Sequence, residues 1–200
     1  MQNLAEIREA KKKLRQEALA RRMALSDDEW SERSTHIQSC FLDLFEGSTF
    51  DTVHLYTAML LRNEIDTETL ALRLLDAGKR VAVPVMSFAD RSLSHFLVTR
   101  KTLWKTNRWG VSEPVDGEPV SAEDLELIVV PMVAADAACN RLGYGKGYYD
   151  TFLKETPALK VGLCFECCMV DRVPCEPHDV RLHHVITEDR FLSGAESGNR

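Results

Sequence analysis

The sequence predicts an α/β protein, a three-layer sandwich with a mostly parallel sheet flanked by helices and preceded by two N-terminal helices. Three observations predict it. The chain begins with two charged segments of helical period, and no strand-like run precedes them. Apolar runs then alternate with a helical segment, as in the βαβ units that build parallel sheets. The run LELIVVPMVAA, at 125–135, is apolar enough for a central strand covered on both faces.

The two N-terminal helices carry local signals of their positions. The first is predicted over 3–23, where small or apolar residues recur at helical spacing; these residues are Ile7, Ala10, Leu14 and Ala18. The second begins at Ser26, which forms a capping box with Glu29, and ends before Gly47.

Beyond Gly47 the pattern is that of strands separated by helices. A central helix has its N-cap at Asp66 or Thr67 and ends at Gly78. The segment 107–124, with two glycines, two prolines and five acids, is predicted to be a loop with turns. The predicted elements are strand 52–58, helix 65–80, strand 81–86, strand 93–99 (antiparallel or at an edge), strand 125–135, a helix that ends near 153, strand 160–165, short helix 166–172 and strand 183–187.

Length and charge limit the classes of function. Two hundred residues, 44% of them hydrophobic, suit one domain, predicted over 1–192 with a disordered tail at 193–200. The net charge of −6 argues against nucleic acid and anionic membranes as partners. No apolar run approaches the about 20 residues of a membrane helix. We therefore expect a cytoplasmic monomer that binds small molecules, with its six cysteines as free thiols.

The stretch RLGYGKGYYD, at 141–150, follows the most apolar run and precedes a helix. Such a glycine-rich turn aims backbone N–H groups and a helix N-terminus at a phosphate, and Arg141 and Lys146 add positive charge. It matches neither the dinucleotide fingerprint nor the Walker loop. A flexible turn with solvated cations stays open as the alternative.

Other charged residues support a ligand site but have simpler explanations. Asp150 could hold a metal ion carried by bound phosphates, although acids also favour helix N-termini for dipole reasons. Lys11 and Arg15 are four residues apart and share a helical face, which could present both over a cleft. The segment KKKLR could equally be a solvated face.

The cysteines allow a different class of function. Cys164 and Cys167 have C-x-x-C spacing, and a zinc or redox-sensing site could add other residues; these residues are Cys175, His178, His183 and His184. Against it, Cys164 lies in a predicted buried strand and no second C-x-x-C follows. Structural thiols are the favoured interpretation.

Several motifs in a fixed order resemble the 5-formyltetrahydrofolate cyclo-ligase family, also called methenyltetrahydrofolate synthetases. The resemblance extends from residue 11 to about 187. The motifs are KKKLR, NEIDT at 63–67, GKRVAVPV at 78–85, EP at 113–114, and VVPMVAADAACNRLGYGKGYYD at 129–150.

The resemblance implies roles for individual residues. It implies that Lys146, Arg141, Tyr148 and Tyr149 serve catalysis, and that Asp150 and, through a weaker match, Asp179 hold Mg²⁺. The implied ATP contacts are Lys11, Arg15, Arg141, Leu142, Gly143, Tyr144, Gly145, Lys146, Gly147, Tyr148 and Tyr149. The implied folate contacts are Arg15, Met59, Glu64, Tyr144, Gly145, Lys146, Gly147 and Tyr148.

The implied reaction is the ATP-dependent closure of 5-formyltetrahydrofolate to 5,10-methenyltetrahydrofolate through an N5-iminium phosphate, with release of ADP and phosphate. A binding protein without catalysis on the same fold is the alternative. It is disfavoured because the expected functional residues are all present; these are Lys11, Glu64, Lys146, Tyr148 and Asp150. The chain departs from the family pattern at Ala135, where a phenylalanine is usual, and at Cys139, where a glycine is usual. Thr151 replaces a frequent arginine.

Overall fold

The computed structural model of the protein describes residues 3–194. It begins with helices α1 (Leu4–Met23) and α2 (Asp27–Phe45), as the sequence predicts. Ser26 caps α2, and its capping box with Glu29 is formed in both directions. These ends were predictable because capping bonds join residues only three positions apart.

The remaining elements alternate between short strands and helices. The two later helices are α3 (Thr67–Asp76), capped by the Asp66 side chain, and α4 (Tyr148–Phe152). Three 3₁₀ turns cover Leu60–Arg62, Ala122–Asp124 and Glu166–Cys168. The strands are β1 (Thr52–His54), β2 (Arg80–Met86), β3 (Leu93–Val98), β4 (Trp104–Thr106), β5 (Ser112–Pro114), β6 (Glu118–Val120), β7 (Leu127–Val130), β8 (Ala134–Asp136), β9 (Arg141–Leu142), β10 (Leu159–Leu163), β11 (Met169–Val170), β12 (His184–Ile186) and β13 (Phe191–Ser193).

The main sheet has the order β13-β12-β10-β7-β1-β2-β3-β6. The five strands from β12 to β2 are parallel to one another. Strand β13 pairs antiparallel with β12, β3 pairs antiparallel with β2, and β6 pairs antiparallel with β3. All four residues of β7 are buried, so the most apolar run does supply a central strand. The predicted mostly parallel sheet with flanking helices and two N-terminal helices is confirmed.

A small sheet beside the main one positions the glycine loop, defined as residues 143–147. Its order is β11-β8-β9, with β8 parallel to β11 and antiparallel to β9. The predicted strand 125–135 is therefore two strands, separated at 131–133. The second of them, β8, pairs with β9, and β9 leads directly into the loop.

Three other element predictions need correction. The predicted strand 52–58 is a regular strand only over Thr52–His54, and the predicted helix 166–172 is one 3₁₀ turn, Glu166–Cys168. The segment 107–124 is more ordered than a loop, since it contains β5 and β6. Strand β3 is antiparallel, one of the two arrangements predicted for 93–99, and β6 pairs on its outer side. Hydrophobic periodicity did not reveal β5 and β6, because their partner strands lie outside the segment 107–124.

The inward face of α1 also differs from the predicted stripe. Ala18 is buried as expected, but the other buried residues are Lys11 and Arg22. Ile7 and Leu14 are only half-buried. Long cationic side chains can face inward when ionic and carbonyl partners compensate for lost hydration, and both cations have such partners.

The limits of the chain and of its helices bear on two further expectations. Ser193, the first residue of the expected tail, ends β13, and residues 195–200 lie outside the described residues. Within 3–194, no helix combines the length and apolarity needed to cross a membrane.

Candidate active site

The glycine loop leaves β9 and enters the N-terminus of α4. Gly145 and Gly147 have φ values of 79° and 81°, a left-handed conformation that strongly favours glycine. Gly145, Lys146 and Gly147 are exposed, so their backbone is accessible to a ligand. The loop therefore has the shape and position expected of a phosphate-binding turn.

Helix α1 lies against this loop through Arg15. The Arg15 Nε donates to the Gly143 carbonyl oxygen at 2.7 Å. A Cβ atom built on Gly145 would lie 3.1 Å from the Arg15 Cζ. The absence of a side chain at Gly145 thus lets the guanidinium rest on the loop.

Lys11, one turn before Arg15, is buried in an ion-pair cluster. Its Nζ lies 3.0 Å from Glu176 Oε2 and 2.5 Å from Asp179 Oδ2. The hydrogen bond from the Lys11 ammonium is the largest of the effects that lower the pKa of Glu176. Burial lowers the pKa of Arg15, and the negative charges of Asp179 and Glu176 offset only part of that effect. The structure therefore brings the two predicted cations of α1 together with Asp179.

Arg141 and Asp150 form a second ion pair at the start of α4. The Arg141 Nη2 donates to Asp150 Oδ1, and Arg141 is 7% exposed. Burial lowers the pKa of Arg141, and Asp150 and then Asp179 oppose that effect. The two predicted metal carboxylates thus act on one guanidinium, although they lie 29 positions apart in the sequence.

Glu64 lies in a separate buried cluster beside the loop. Its Oε2 accepts from the Met59 backbone N–H at 2.7 Å, and its Oε1 accepts from the Tyr144 hydroxyl. Burial raises the pKa of Glu64, opposed first by the Met59 N–H and then by Tyr144 and Arg22. Met59, Glu64 and Tyr144, three of the predicted folate contacts, are therefore adjacent.

Arg22 is a functional candidate that the sequence analysis missed. It is 4% exposed, and its Nη2 donates to the Tyr144 hydroxyl oxygen at 2.6 Å. Spacing could have revealed it, because Lys11, Arg15 and Arg22 follow the i, i+4, i+11 pattern of one helical face.

An aromatic group that was also missed borders the far side of the loop. The Trp109 ring lies 4.6 Å from the Phe88 ring and 6.0 Å from the Tyr148 ring, edge to face in both cases. The Lys146 Nζ lies 6.0 Å from the Trp109 ring centroid. A tryptophan in the polar segment 107–124 was the available signal. Trp109 thus extends the surface next to the exposed lysine.

Two residues that the sequence analysis assigned to ligand contact face the protein interior. Leu142 is 1% exposed, and its carbonyl accepts from the Val133 N–H. The buried Tyr149 hydroxyl has no hydrogen-bond partner among the described residues, and its ring packs near His54 and Phe152. Ligand contact at Leu142 would thus be limited to its remaining backbone groups, and Tyr149 faces the core.

A metal ion would find oxygen ligands in this site. Among the described residues, one group of three offers ligand atoms within 4.8 Å of one another, and it contains no cysteine: Glu176, His178 and Asp179. Asp150 pairs with Arg141 through one oxygen. Asp179 pairs with Lys11 through one oxygen, and its other oxygen lies 3.8 Å from His178 Nε2. Carboxylate oxygens are the donors that Mg²⁺ prefers, so the predicted residues fit that ion.

Cys164 directly follows β10 and is buried, as expected of a structural thiol.

The two departures from the family pattern lie close to the loop. Ala135 on β8 pairs with Arg141 on β9. Cys139 has a φ of 61°, within the region that favours glycine, and it is fully buried. Both residues therefore belong to the backbone segment that positions Arg141.

Comparisons with known proteins show the family and the fold. The model of the 5-formyltetrahydrofolate cyclo-ligase family matches residues 7–188. A 5-formyltetrahydrofolate cyclo-ligase of Mus musculus is 27% identical over 92% of this chain and 96% of its own. A probable one of Schizosaccharomyces pombe is 32% identical over 84% of this chain and 90% of its own. The solved 5,10-methenyltetrahydrofolate synthetase of Aquifex aeolicus, 30% identical, has a TM-score of 0.82 and covers 95% of both chains.

Proposed function

Because this chain belongs to the 5-formyltetrahydrofolate cyclo-ligase family, we propose that the cluster around Glu64 and the glycine loop are the two halves of one cyclo-ligase site. The protein is a ligase that converts 5-formyltetrahydrofolate to 5,10-methenyltetrahydrofolate with ATP as co-substrate. The observation that carries the proposed site is the contact between Tyr144 and Glu64, 80 positions apart, which joins loop and acid.

The folate half is centred on Glu64. A buried carboxylate accepts hydrogen bonds from ring N–H and amino groups, such as those on the edge of a pterin. Met59 adjoins this acid and Tyr148 lies at the loop. Arg15 and Lys146 supply positive charge for the acidic glutamate tail of folate. We assign these residues to substrate binding, together with Tyr144, Gly145 and Gly147.

The ATP half consists of the glycine loop and the cations around it. Its exposed backbone N–H groups and the N-terminus of α4 can donate hydrogen bonds to phosphate oxygens. The compact Lys146 ammonium and the planar Arg141 guanidinium add positive charge. Arg15 rests on the loop, and Lys11 lies one turn away beside Asp179. This set supports the assignment of Lys11, Arg15 and residues 141–148 to ATP, with Leu142 contributing only backbone groups. Tyr149, which faces the core, is left out of the proposed contacts.

Mg²⁺ would be held by Asp150 and Asp179, whose carboxylate oxygens match its ligand preference. When bound, the ion would neutralise negative charge on the ATP phosphates. Arg141 and Lys11 already hold one oxygen of each acid, so both carboxylates are fixed in place before the ion binds.

The proposed reaction proceeds in two steps. The formyl oxygen attacks the γ-phosphorus of ATP, and ADP leaves as the N5-iminium phosphate forms. The N10 nitrogen then attacks the formyl carbon, and the ring closes with loss of phosphate and of the N10 proton. Transfer of a phosphoryl group requires alignment and charge neutralisation rather than a protein nucleophile. Lys146 and Arg141 serve that neutralisation, while Glu64 and Tyr148 orient the folate ring.

The proposed cellular setting is the cytoplasm, and the proposed form is a monomer. All six cysteines are free thiols, which suits a reducing compartment. Small molecules are the proposed partners.

The test is an assay of product formation. Purified protein is incubated with 5-formyltetrahydrofolate, Mg²⁺ and ATP, and the near-UV absorbance of the methenyl product is followed. We expect a signal that requires all three additions and falls sharply in the Glu64→Gln variant. Absence of an ATP-dependent signal from the folded wild-type protein would refute the function.

A further inference from the structure

We propose that Arg22 is a positioning residue for the folate half of the site, acting on Glu64 through the Tyr144 hydroxyl. The inference rests on the proposed function, because Glu64 is the carboxylate assigned to the pterin. It adds a residue outside the resemblance motifs and gives Tyr144 a defined task.

Arg22 joins three segments of the chain that border the site. Its Nε donates to the Arg62 carbonyl oxygen at 2.9 Å, and its Nη1 donates to that of Met132 at 3.2 Å. Its Nη2 donates to the Tyr144 hydroxyl oxygen at 2.6 Å. The guanidinium at the end of α1 thus connects the turn before Glu64, the segment between β7 and β8, and the glycine loop.

The link from Arg22 to Glu64 is a chain of hydrogen bonds. The Tyr144 hydroxyl accepts from Arg22 and donates to Glu64 Oε1, whereas the Arg22 Nη2 itself lies 4.0 Å from that oxygen. A hydroxyl that accepts from a cation becomes a stronger donor, because hydrogen bonds in a chain polarise one another. Arg22 therefore stabilises the charged form of Glu64 both by its own charge and through Tyr144.

This support matters because Glu64 is only 3% exposed. Burial alone favours the protonated acid, which would lose acceptor capacity toward the N–H groups of a pterin. The ionisable groups around this carboxylate come from α1, the turn at 60–62, the end of β1, the loop and α4. They are Arg22, Arg62, Tyr56, Tyr144 and Tyr149. Only the two arginines are positively charged, and only Arg22 is also bonded to Tyr144.

Tyr144 leaves room on the acid for a ligand. Its hydroxyl takes one acceptor position on Oε1, and the Met59 N–H takes one on Oε2. An ionised carboxylate offers about four acceptor positions, so a folate N–H can bind Glu64 while the Tyr144 hydroxyl stays in place.

The experiment measures binding and turnover in four single variants and in the Arg22→Met/Tyr144→Phe double variant. Arg22→Met removes the charge, Arg22→Lys retains it, Tyr144→Phe removes only the hydroxyl, and Arg21→Met is the matched control on the exposed face of α1. Calorimetric binding of 5-formyltetrahydrofolate without ATP is measured beside KM for both substrates between pH 5.5 and 8.5. Thermal unfolding and the KM for ATP report whether each variant is folded.

We expect Arg22→Met to raise the folate Kd and KM about tenfold, the loss expected for a hydrogen-bond network to a charged group. The ATP KM should stay near that of Arg21→Met. The pH below which folate binding weakens should move upward, since the Glu64 carboxylate loses a cation, and Arg22→Lys should restore part of both properties. Tyr144→Phe should reproduce the folate defect and add little in the Arg22→Met background.

The proposal is overturned if folded Arg22→Met matches Arg21→Met in folate affinity and pH profile. It is also overturned if the losses of folate affinity in Arg22→Met and Tyr144→Phe simply add in the double variant. Should Arg22→Met not fold, an unchanged folate affinity in Tyr144→Phe overturns it equally. These outcomes differ from failure of the proposed function, in which the wild-type protein itself forms no methenyl product, or in which Glu64→Gln leaves folate binding unchanged.

Discussion

Arg15 on the first helix donates a 2.7 Å hydrogen bond to the carbonyl oxygen of Gly143, 128 positions away in the sequence. This bond fixes the glycine loop against a charged face of α1. The same position of Arg15 explains why residue 145 of the loop must be small, since a side chain at Gly145 would meet the guanidinium.

The first prediction concerns this contact. Arg15→Met should raise the KM for ATP about tenfold, because a charge-assisted hydrogen bond and a cation near the phosphates are both lost. Steady-state kinetics at fixed folate measure it. Lys13→Met is the matched control, since Lys13 lies on the same helix with an exposed side chain. An ATP KM that changes equally in both variants would show that Arg15 does not act on the loop.

The second prediction separates the two halves of the site. Lys146→Ala should lower kcat about 10²-fold or more and raise the folate KM much less than Glu64→Ala does, because its charge acts chiefly on the transferring phosphoryl group. Glu64→Ala should instead produce the largest rise in folate KM. Lys154→Ala, an exposed lysine just after α4, serves as the control. Equal losses of folate affinity in the first two variants would contradict this division of roles.

The third prediction concerns the backbone at Cys139. Its φ of 61° is costly for any residue with a Cβ and free for glycine. Cys139→Gly and Cys139→Ala both remove the buried thiol, but only glycine relieves the strain. Chemical denaturation should therefore find Cys139→Gly more stable than Cys139→Ala by about 1 kcal/mol. A free energy of unfolding that is lower for the glycine variant would refute strain at this position.

The fourth prediction concerns thiol reactivity and pH. A hydrogen bond from Cys168, 3.9 Å away between sulfur atoms, lowers the pKa of Cys167 to about 7, whereas burial raises the pKa of Cys164 to about 12. The thiolate is the reactive form. Alkylation of Cys167 should therefore be slow below pH 7, rise through pH 7 and level off above it.

Mass spectrometry of iodoacetamide-treated protein resolves the individual sites. Cys167→Ser should abolish the reaction that titrates near pH 7, whereas Cys175→Ser should retain it, because burial raises the pKa of Cys175. Persistence of that reaction in Cys167→Ser would assign it to another thiol.

Local interactions account for what the sequence determined. Ser26 and Glu29 set the start of α2 within four residues, and the apolar run at 125–135 identified the central strand. The stretch 141–150 marked the glycine loop through its glycines, whose backbone angles are a property of single residues. The resemblance motifs then identified the family that the comparisons confirm.

Tertiary packing decided the rest. Strands β5 and β6 exist because β4 and β3 supply hydrogen bonds, and no period within 107–124 reveals those partners. The sequence presented Arg22 as one more charge on a charged helix. Only the fold brings it to Tyr144, 122 positions away, and from there to Glu64. Residues so distant in the chain meet through the packing of helix, loop and turn, whereas capping and periodicity act over a few neighbouring residues.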